Sequence, residues 1–193
     1  MKSVGVFCGS NTGSGTAYAE AARKLAWAIA GRGLRLVYGG GSIGLMGVLG
    51  DTAVAAGGQV VGVTPRRLIE KEVVHRGLTE LRVVETMLER KALMAELSDV
   101  FIALPGGLGT LDELFEMLTW SQLGIHRKPC ALLDVDDYYG KLVAFLDHAL
   151  ARRFITPPHR AMLIVEHDAE TVLDQLASTP LPDISKWMDR KPA

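Results

Sequence analysis

A glycine-rich segment that ends in two acidic residues is the strongest candidate for chemistry in this sequence. Residues 105–113 read Pro-Gly-Gly-Leu-Gly-Thr-Leu-Asp-Glu and directly follow an apolar run, 100–104. Glycines carry no Cβ, so their N–H groups can converge at the start of a helix, where the helix dipole also favours an anion. The segment therefore predicts a phosphate site. No Gly-Lys-Ser/Thr follows this segment or the other glycine-rich segment, 39–44, which excludes a P-loop.

Glu113 has two interpretations. Thr110 and Glu113 have the spacing of a capping box, in which the glutamate only caps its own helix. Alternatively, its carboxylate lies beside the sugar that carries the bound phosphate. Glu116, on the same helical face, could hold Arg90, bind a ribose hydroxyl or simply be solvated.

A second glycine cluster, Gly-Gly-Gly-Ser-Ile-Gly at 39–44, contains the G-x-G-x-x-G pattern of dinucleotide sites. That fingerprint also needs an acidic residue at the end of the next strand. The next predicted strand ends in Gly-Val-Thr-Pro at 62–65, without a carboxylate. We therefore favour a tight turn that lets a phosphate or the neighbouring loop approach closely. A purely structural turn and an NAD site are the other interpretations.

The segment 105–113, together with Glu-Arg-Lys-Ala-Leu-Met at 89–94, resembles the Lonely Guy (LOG) family of cytokinin riboside 5′-monophosphate phosphoribohydrolases. The similarity extends over nearly the whole chain up to the tail, through segments that include 8–10, 38–41, 119–126 and the pair Tyr138-Tyr139. Older labels called such sequences lysine decarboxylases. A pyridoxal enzyme needs a Schiff-base lysine and a partner for the pyridine nitrogen, and no pattern here singles out such a pair.

The resemblance implies a set of functional residues. Arg90 and Glu113 match the catalytic pair of the family. The positions that match its substrate contacts are Glu72, Lys91, Gly107, Leu108, Gly109, Thr110, Leu111, Asp112 and Thr119. Two positions depart from the family pattern, Leu88 where a histidine is usual and Leu108 where a tyrosine is frequent, and both could alter the pocket.

The resemblance also implies a reaction. It is the hydrolysis of the N-glycosidic bond of an adenosine 5′-monophosphate, with or without an N6 substituent, to free base and ribose 5-phosphate. Such cleavage passes through an oxocarbenium-like transition state. The implied enzyme is a homodimer that needs no cofactor and no metal. A non-catalytic nucleotide-binding or carrier protein on the same scaffold is the main alternative.

Short apolar runs alternate with longer amphipathic runs along the chain, which is typical of a doubly wound, parallel, Rossmann-like α/β domain. Strands are predicted at 3–8, 34–38, 59–64, 80–84, 100–104, 130–134 and 162–165, and helices at 16–31, 43–56, 86–97, 111–123, 138–153 and 169–177. We expect one domain over 1–177 and an irregular tail over 178–193, in which Trp187 needs a covering surface. In such folds, ligands bind at the carboxyl ends of the strands, and both glycine clusters follow strands.

The composition limits the classes of partner that this protein is expected to bind. The 193 residues include 21 Lys+Arg and 22 Asp+Glu, and the net charge of -1 argues against a nucleic-acid partner. Cys8 and Cys130 read as buried thiols in a reducing compartment. The five histidines show no metal spacing, and no apolar stretch approaches the roughly 20 residues of a membrane span. We expect a cytoplasmic protein without a metal or a membrane partner.

Overall fold

The computed structural model describes residues 1–69 and 74–179, and in them a parallel sheet forms the centre of the fold. Its strands are β1 (Ser3–Phe7), β2 (Arg35–Tyr38), β3 (Val60–Pro65), β4 (Glu80–Val84), β5 (Val100–Ala103), β6 (Cys130–Leu133) and β7 (Leu163–Glu166). They form a seven-stranded sheet in the order β4-β3-β2-β1-β5-β6-β7, and every neighbouring pair is parallel. The predicted fold class is confirmed.

Helices cover both faces of the sheet. They are α1 (Ala17–Gly31), α2 (Gly44–Ala55), α3 (Arg66–Ile69), α4 (Met87–Leu97), α5 (Leu108–Gln122), α6 (Gly140–Ala151), α7 (Pro157–Arg160) and α8 (Ala169–Ser178). The four-residue helices α3 and α7 were not predicted, because a single turn is too short to show helical periodicity. Helix α8 continues through Ser178, and most of the predicted tail, with Trp187, lies outside the described residues.

Two apolar cores hold these layers together. Along β5, Val100 and Ile102 belong to the core under α1, α2 and α8, whereas Phe101 and Ala103 belong to the core under α4, α5 and α6. This alternation follows from the period of two residues in a strand. A central strand must therefore be apolar on both faces, which is the pattern that the sequence shows.

The order of the strands places a crevice beside β1. This strand pairs with β2 on one side and with β5 on the other, at Val6↔Tyr38 and Phe7↔Ala103. The chain winds outward from β1 through β2, β3 and β4 and then crosses to β5. The helices that follow β1 and β5, α1 and α5, consequently lie on opposite faces of the sheet, which creates the usual ligand crevice of open α/β sheets between them.

Helix α5 begins three residues earlier than predicted, and this removes one interpretation of Glu113. Its N-cap is Gly107, and Thr110 lies inside the first turn with a buried side chain. The Thr110–Glu113 capping box is therefore wrong. The prediction started the helix after the last glycine because glycine has a low helix propensity. The first turn of α5 tolerates Gly109 all the same. Because Glu113 does not cap the helix, its carboxylate is available to another partner.

Candidate active site

A cavity of about 440 Å³ occupies the crevice at the carboxyl ends of β1 and β5. Its walls come from the loops after β1, β2 and β5, from Tyr138 after β6 and from side chains of the helices α1 to α5. Six of the sequence-predicted site residues line it: Arg90, Gly107, Leu108, Gly109, Thr110 and Glu113. The volume is in the range of small-molecule sites.

One end of the cavity, at the start of α5, has the chemistry to hold an anion. Gly107, at the N-cap of α5, supplies no side-chain hydrogen bond to the first turn, which leaves the N–H groups of that turn for a ligand. The loops after β1 and β5 are tightly joined here, since Gly9 N donates to Pro105 O at 3.1 Å. A Cβ on Gly106 would lie 2.1 Å from Thr110 Oγ1 and 2.8 Å from Gly9 N, so this position requires glycine.

The buried pair Arg90 and Glu113 lies at the other end of the cavity. Arg90 Nη1 donates to Glu113 Oε1 at 2.5 Å, and Arg90 Nε donates to the carbonyl of Val63 at 2.9 Å. A Cβ on Gly39 would lie 2.2 Å from Arg90 Nη2. The guanidinium thus occupies a slot between the end of β2, the strand β3 and the helix α5. Its orientation is set by two hydrogen bonds and by the absence of a side chain at Gly39.

Burial controls the electrostatics of this pair. Desolvation raises the pKa of the Glu113 carboxyl, and the neighbouring Arg90 guanidinium opposes the rise. Burial, helped by the charge of Glu113, also raises the pKa of the Cys8 thiol, which lines the same cavity as a neutral group. A carboxylate in such a poorly solvated place interacts strongly with any positive charge that develops beside it. The site can therefore stabilise a cationic transition state.

Three of the other predicted substrate contacts lie on the outer face of α5, and a fourth, Lys91 of α4, is paired with carboxylates of α5. Leu111, Asp112 and Thr119 line a shallow groove there. Lys91 Nζ lies 3.0 Å from Asp112 Oδ2 and 2.8 Å from Glu116 Oε2, and these two carboxylates raise the pKa of Lys91.

Within one chain, the structure thus does not bring Lys91, Leu111, Asp112 and Thr119 into the cavity. Glu116 pairs with Lys91 rather than with Arg90. The remaining candidate, Glu72, lies outside the described residues.

The second glycine cluster packs one loop against another. Gly44 has φ 60°, and a Cβ there would lie 2.2 Å from the carbonyl carbon of Ser10. Leu45 N donates to Gly9 O at 3.0 Å across the same contact. The predicted tight turn that lets the neighbouring loop approach closely is confirmed. The glycines after β2 therefore support the loop after β1, which forms one wall of the cavity.

Several residues of the cavity were not predicted. Ser10, Asn11 and Thr12 line it directly after β1, and Met46 and Met87 line it from α2 and α4. The polar residues carried a usable signal, because they follow the strand at which the winding direction changes. The methionines carried none, since methionine at helical spacing is equally typical of a core.

Across 1–69 and 74–179, no group of three or more His, Cys, Asp or Glu side chains is arranged to hold a metal ion. Among the helices described above, none is both long enough and apolar enough to cross a membrane.

The fold is similar to solved structures of distant sequence. The molybdenum cofactor binding protein of Rippkaea orientalis matches with a TM-score of 0.69 at 24% identity, covering 92% of this chain and 96% of that one. The molybdenum cofactor carrier protein of Chlamydomonas reinhardtii matches with a TM-score of 0.69 at 23% identity, covering 92% and 99%. At this level of identity, the likeness establishes the fold alone.

Relatives with higher sequence identity share one name, cytokinin riboside 5′-monophosphate phosphoribohydrolase. The cytokinin riboside 5′-monophosphate phosphoribohydrolase of Rhodococcoides fascians is 52% identical over 178 residues, 92% of this chain and 90% of the relative. The Arabidopsis thaliana protein of that name is 48% identical over 184 residues, 95% of this chain and 81% of the relative. A family profile described as "possible lysine decarboxylase" matches residues 46–176. The chain belongs to the Lonely Guy family, as its glycine-rich segment and its Arg90–Glu113 pair indicate.

Proposed function

We propose that the chain hydrolyses the N-glycosidic bond of adenosine 5′-monophosphate or of an N6-modified analogue, the reaction that activates cytokinin nucleotides. The observation that carries this proposal is the buried Arg90–Glu113 pair in the same cavity as an uncapped helix N-terminus. Glu113 lies five residues after Leu108, about 7.5 Å further along the helix axis. A 5′-phosphate held at the first turn therefore leaves room for a ribose ring before the carboxylate.

The reaction consumes one water molecule. The bond between the anomeric carbon and the base nitrogen breaks, its electron pair leaves with the base, and positive charge develops on the ribose ring. The Glu113 carboxylate stabilises that charge or accepts a proton from the attacking water, whose oxygen becomes the new hydroxyl of ribose 5-phosphate. The base takes up a proton as it leaves. Arg90 orients Glu113, a role supported by its bonds to Glu113 and to the carbonyl of Val63.

The outer groove of α5 supports a homodimer. Leu108, whose residue surface is 87% exposed, borders both the cavity and the groove lined by Leu111, Asp112 and Thr119. A second copy that covers this groove would enclose the cavity, and it would give the substrate contacts implied for Lys91 and Thr119 a place at the subunit boundary. Sedimentation equilibrium at micromolar concentration tests this, and a monomer at all concentrations contradicts it.

The buried thiols and the net charge of the protein bear on its location and on its partners. The free thiols Cys8 and Cys130 are both buried, which suits a reducing, cytoplasmic compartment. The net charge of -1 offers no basic field for a nucleic acid, and a nucleotide is bound instead through backbone N–H groups.

One assay separates this enzyme from a nucleotide carrier. The protein is incubated with AMP and with an N6-prenylated AMP, and free base and ribose 5-phosphate are separated by chromatography. We expect equimolar amounts of both products and none from adenosine, which lacks the phosphate. Binding of AMP without either product would favour the carrier, and absence of AMP binding would remove both functions.

A further inference from the structure

The turn that leads into α5 is held by hydrogen bonds to three consecutive carbonyl groups. Tyr139 Oη donates to Leu104 O at 2.7 Å, Gly9 N donates to Pro105 O at 3.1 Å, and Tyr138 Oη donates to Gly106 O at 2.6 Å. All three donors come from outside the turn. The two tyrosines follow β6, and the reaction proposed above assigns them no role.

The bond to Gly106 has a direct consequence for the anion-binding end of the cavity. The Gly106 carbonyl and the Gly107 N–H belong to one planar, trans peptide group, in which the two point in opposite directions. Tyr138 therefore fixes the direction of the Gly107 N–H, which immediately precedes the first turn of α5. A peptide between two glycines is otherwise among the freest to rotate, because neither residue has a Cβ.

Tyr138 is itself firmly placed. Its ring packs edge-on against Tyr139, with centroids 4.9 Å apart, and against Tyr18, with centroids 5.8 Å apart. Tyr139 N donates to Asp134 Oδ1 at 2.8 Å, which anchors the start of the pair to the end of β6.

The backbone just before this pair is in an unfavourable conformation. Asp136 and Asp137 have φ values of 52° and 55°, in the left-handed region that residues with a Cβ rarely adopt. Strained segments of this kind persist where the surroundings determine them, and they concentrate at functional sites. The left-handed pair turns the chain so that both tyrosine hydroxyls reach the turn after β5.

We propose that Tyr138, which lines the same cavity, is a positioning residue for the 5′-phosphate of the nucleotide and acts through the Gly106–Gly107 peptide. This inference rests on the proposed function, because it concerns the same anion-binding end of the cavity. Its contribution is preorganisation: the N–H group is already oriented when the phosphate arrives, so binding does not have to order it.

The test is Tyr138→Phe, which removes the hydroxyl and retains both ring contacts. We expect KM for AMP to rise roughly tenfold, the equivalent of one hydrogen bond, with kcat within about twofold. The affinity for ribose 5-phosphate, measured by calorimetry, should fall by the same factor, whereas the affinity for adenosine should not change. A purely structural role would weaken both ligands and lower Tm.

Tyr139→Phe is the matched comparison, because it also removes one tyrosine hydroxyl. The hydrogen bond lost there goes to the Leu104 carbonyl at the end of β5 and not to the Gly106 carbonyl. Tyr139→Phe should lower Tm more than Tyr138→Phe and shift the affinity for ribose 5-phosphate less. Equal effects of both variants on ribose 5-phosphate and on Tm would overturn the inference, as would an unchanged affinity in Tyr138→Phe. If the unaltered protein binds ribose 5-phosphate but forms no products from AMP, the proposed hydrolysis fails. The affinities of the two variants for ribose 5-phosphate then still test the inference. If the unaltered protein neither binds ribose 5-phosphate nor forms products from AMP, both fall together, whereas products without ribose 5-phosphate binding would overturn the inference alone.

Discussion

Arg90 Nη1 lies 2.5 Å from Glu113 Oε1, and each side chain is only 10% exposed. Removing two such charges from water is costly, and replacing a buried ion pair by apolar residues is often neutral or stabilising. Stability therefore does not explain the presence of this buried pair, and another reason is needed. The cavity beside it supplies one, because a desolvated carboxylate held by a single arginine is a strong partner for a transient positive charge.

The carboxylate is expected to be essential for turnover but not for binding. Glu113→Gln keeps the shape of the side chain and removes its charge, so kcat for AMP should fall at least about 100-fold. Binding of AMP, measured by calorimetry, should survive. Glu20→Gln, the same change on the exposed side of α1, is the control. Retention of most of the kcat in Glu113→Gln would remove Glu113 from the mechanism.

The pH dependence of kcat should report the ionisation of Glu113. The carboxylate must be charged to act, and burial raises its pKa above the ordinary value of 4.5, so activity should be lost as pH falls through a midpoint above 4.5. Arg90 opposes this rise, so Arg90→Met should move the midpoint to higher pH. The measurement is kcat for AMP across pH 4 to 9. A midpoint at or below 4.5, or a downward shift in Arg90→Met, would contradict the assignment.

Charge alone should not replace Arg90. A lysine keeps the positive charge but presents one compact ammonium group, which cannot reproduce the planar fork that bonds Val63 O and Glu113 together. The carboxylate of Glu113 then loses its fixed orientation, and Arg90→Lys should reduce kcat about 100-fold. Steady-state kinetics with AMP checks this. A kcat within threefold of the original would show that only the charge matters.

Gly39 should be required to make room for Arg90. In Gly39→Ala the new methyl group would lie 2.2 Å from Arg90 Nη2 and 3.1 Å from Met46 Sδ, so the guanidinium must leave its slot. We expect a loss of kcat comparable to that of Arg90→Lys, with circular dichroism unchanged. Gly31→Ala is the matched control, because a Cβ there meets nothing within 4 Å. Equal activity of the two alanine variants would show that the slot adapts.

Much of the fold followed from local pattern. Apolar strands such as β5 and amphipathic helices such as α1 were predicted to within a residue or two, because their periods are properties of a few neighbouring residues. The start of α5 was misplaced by three residues, since glycine in a first turn has no local signature of helix. As a result, the spacing of Thr110 and Glu113 predicted a capping box that the helix does not contain.

The sequence by itself determined the class of fold through hydrophobic periodicity and the family through the specific motifs at 89–94 and 105–113, and the resemblance to that family implied the candidate pair. Tertiary structure alone decided which candidates meet. Arg90 reaches Glu113 across 23 residues, and Tyr138 reaches Gly106 across 32. Lys91, adjacent to Arg90, instead pairs with Asp112 and Glu116 on the outer side. Neighbouring side chains on a helix point about 100° apart, so only the packing of α4 on α5 determines which one enters the cavity.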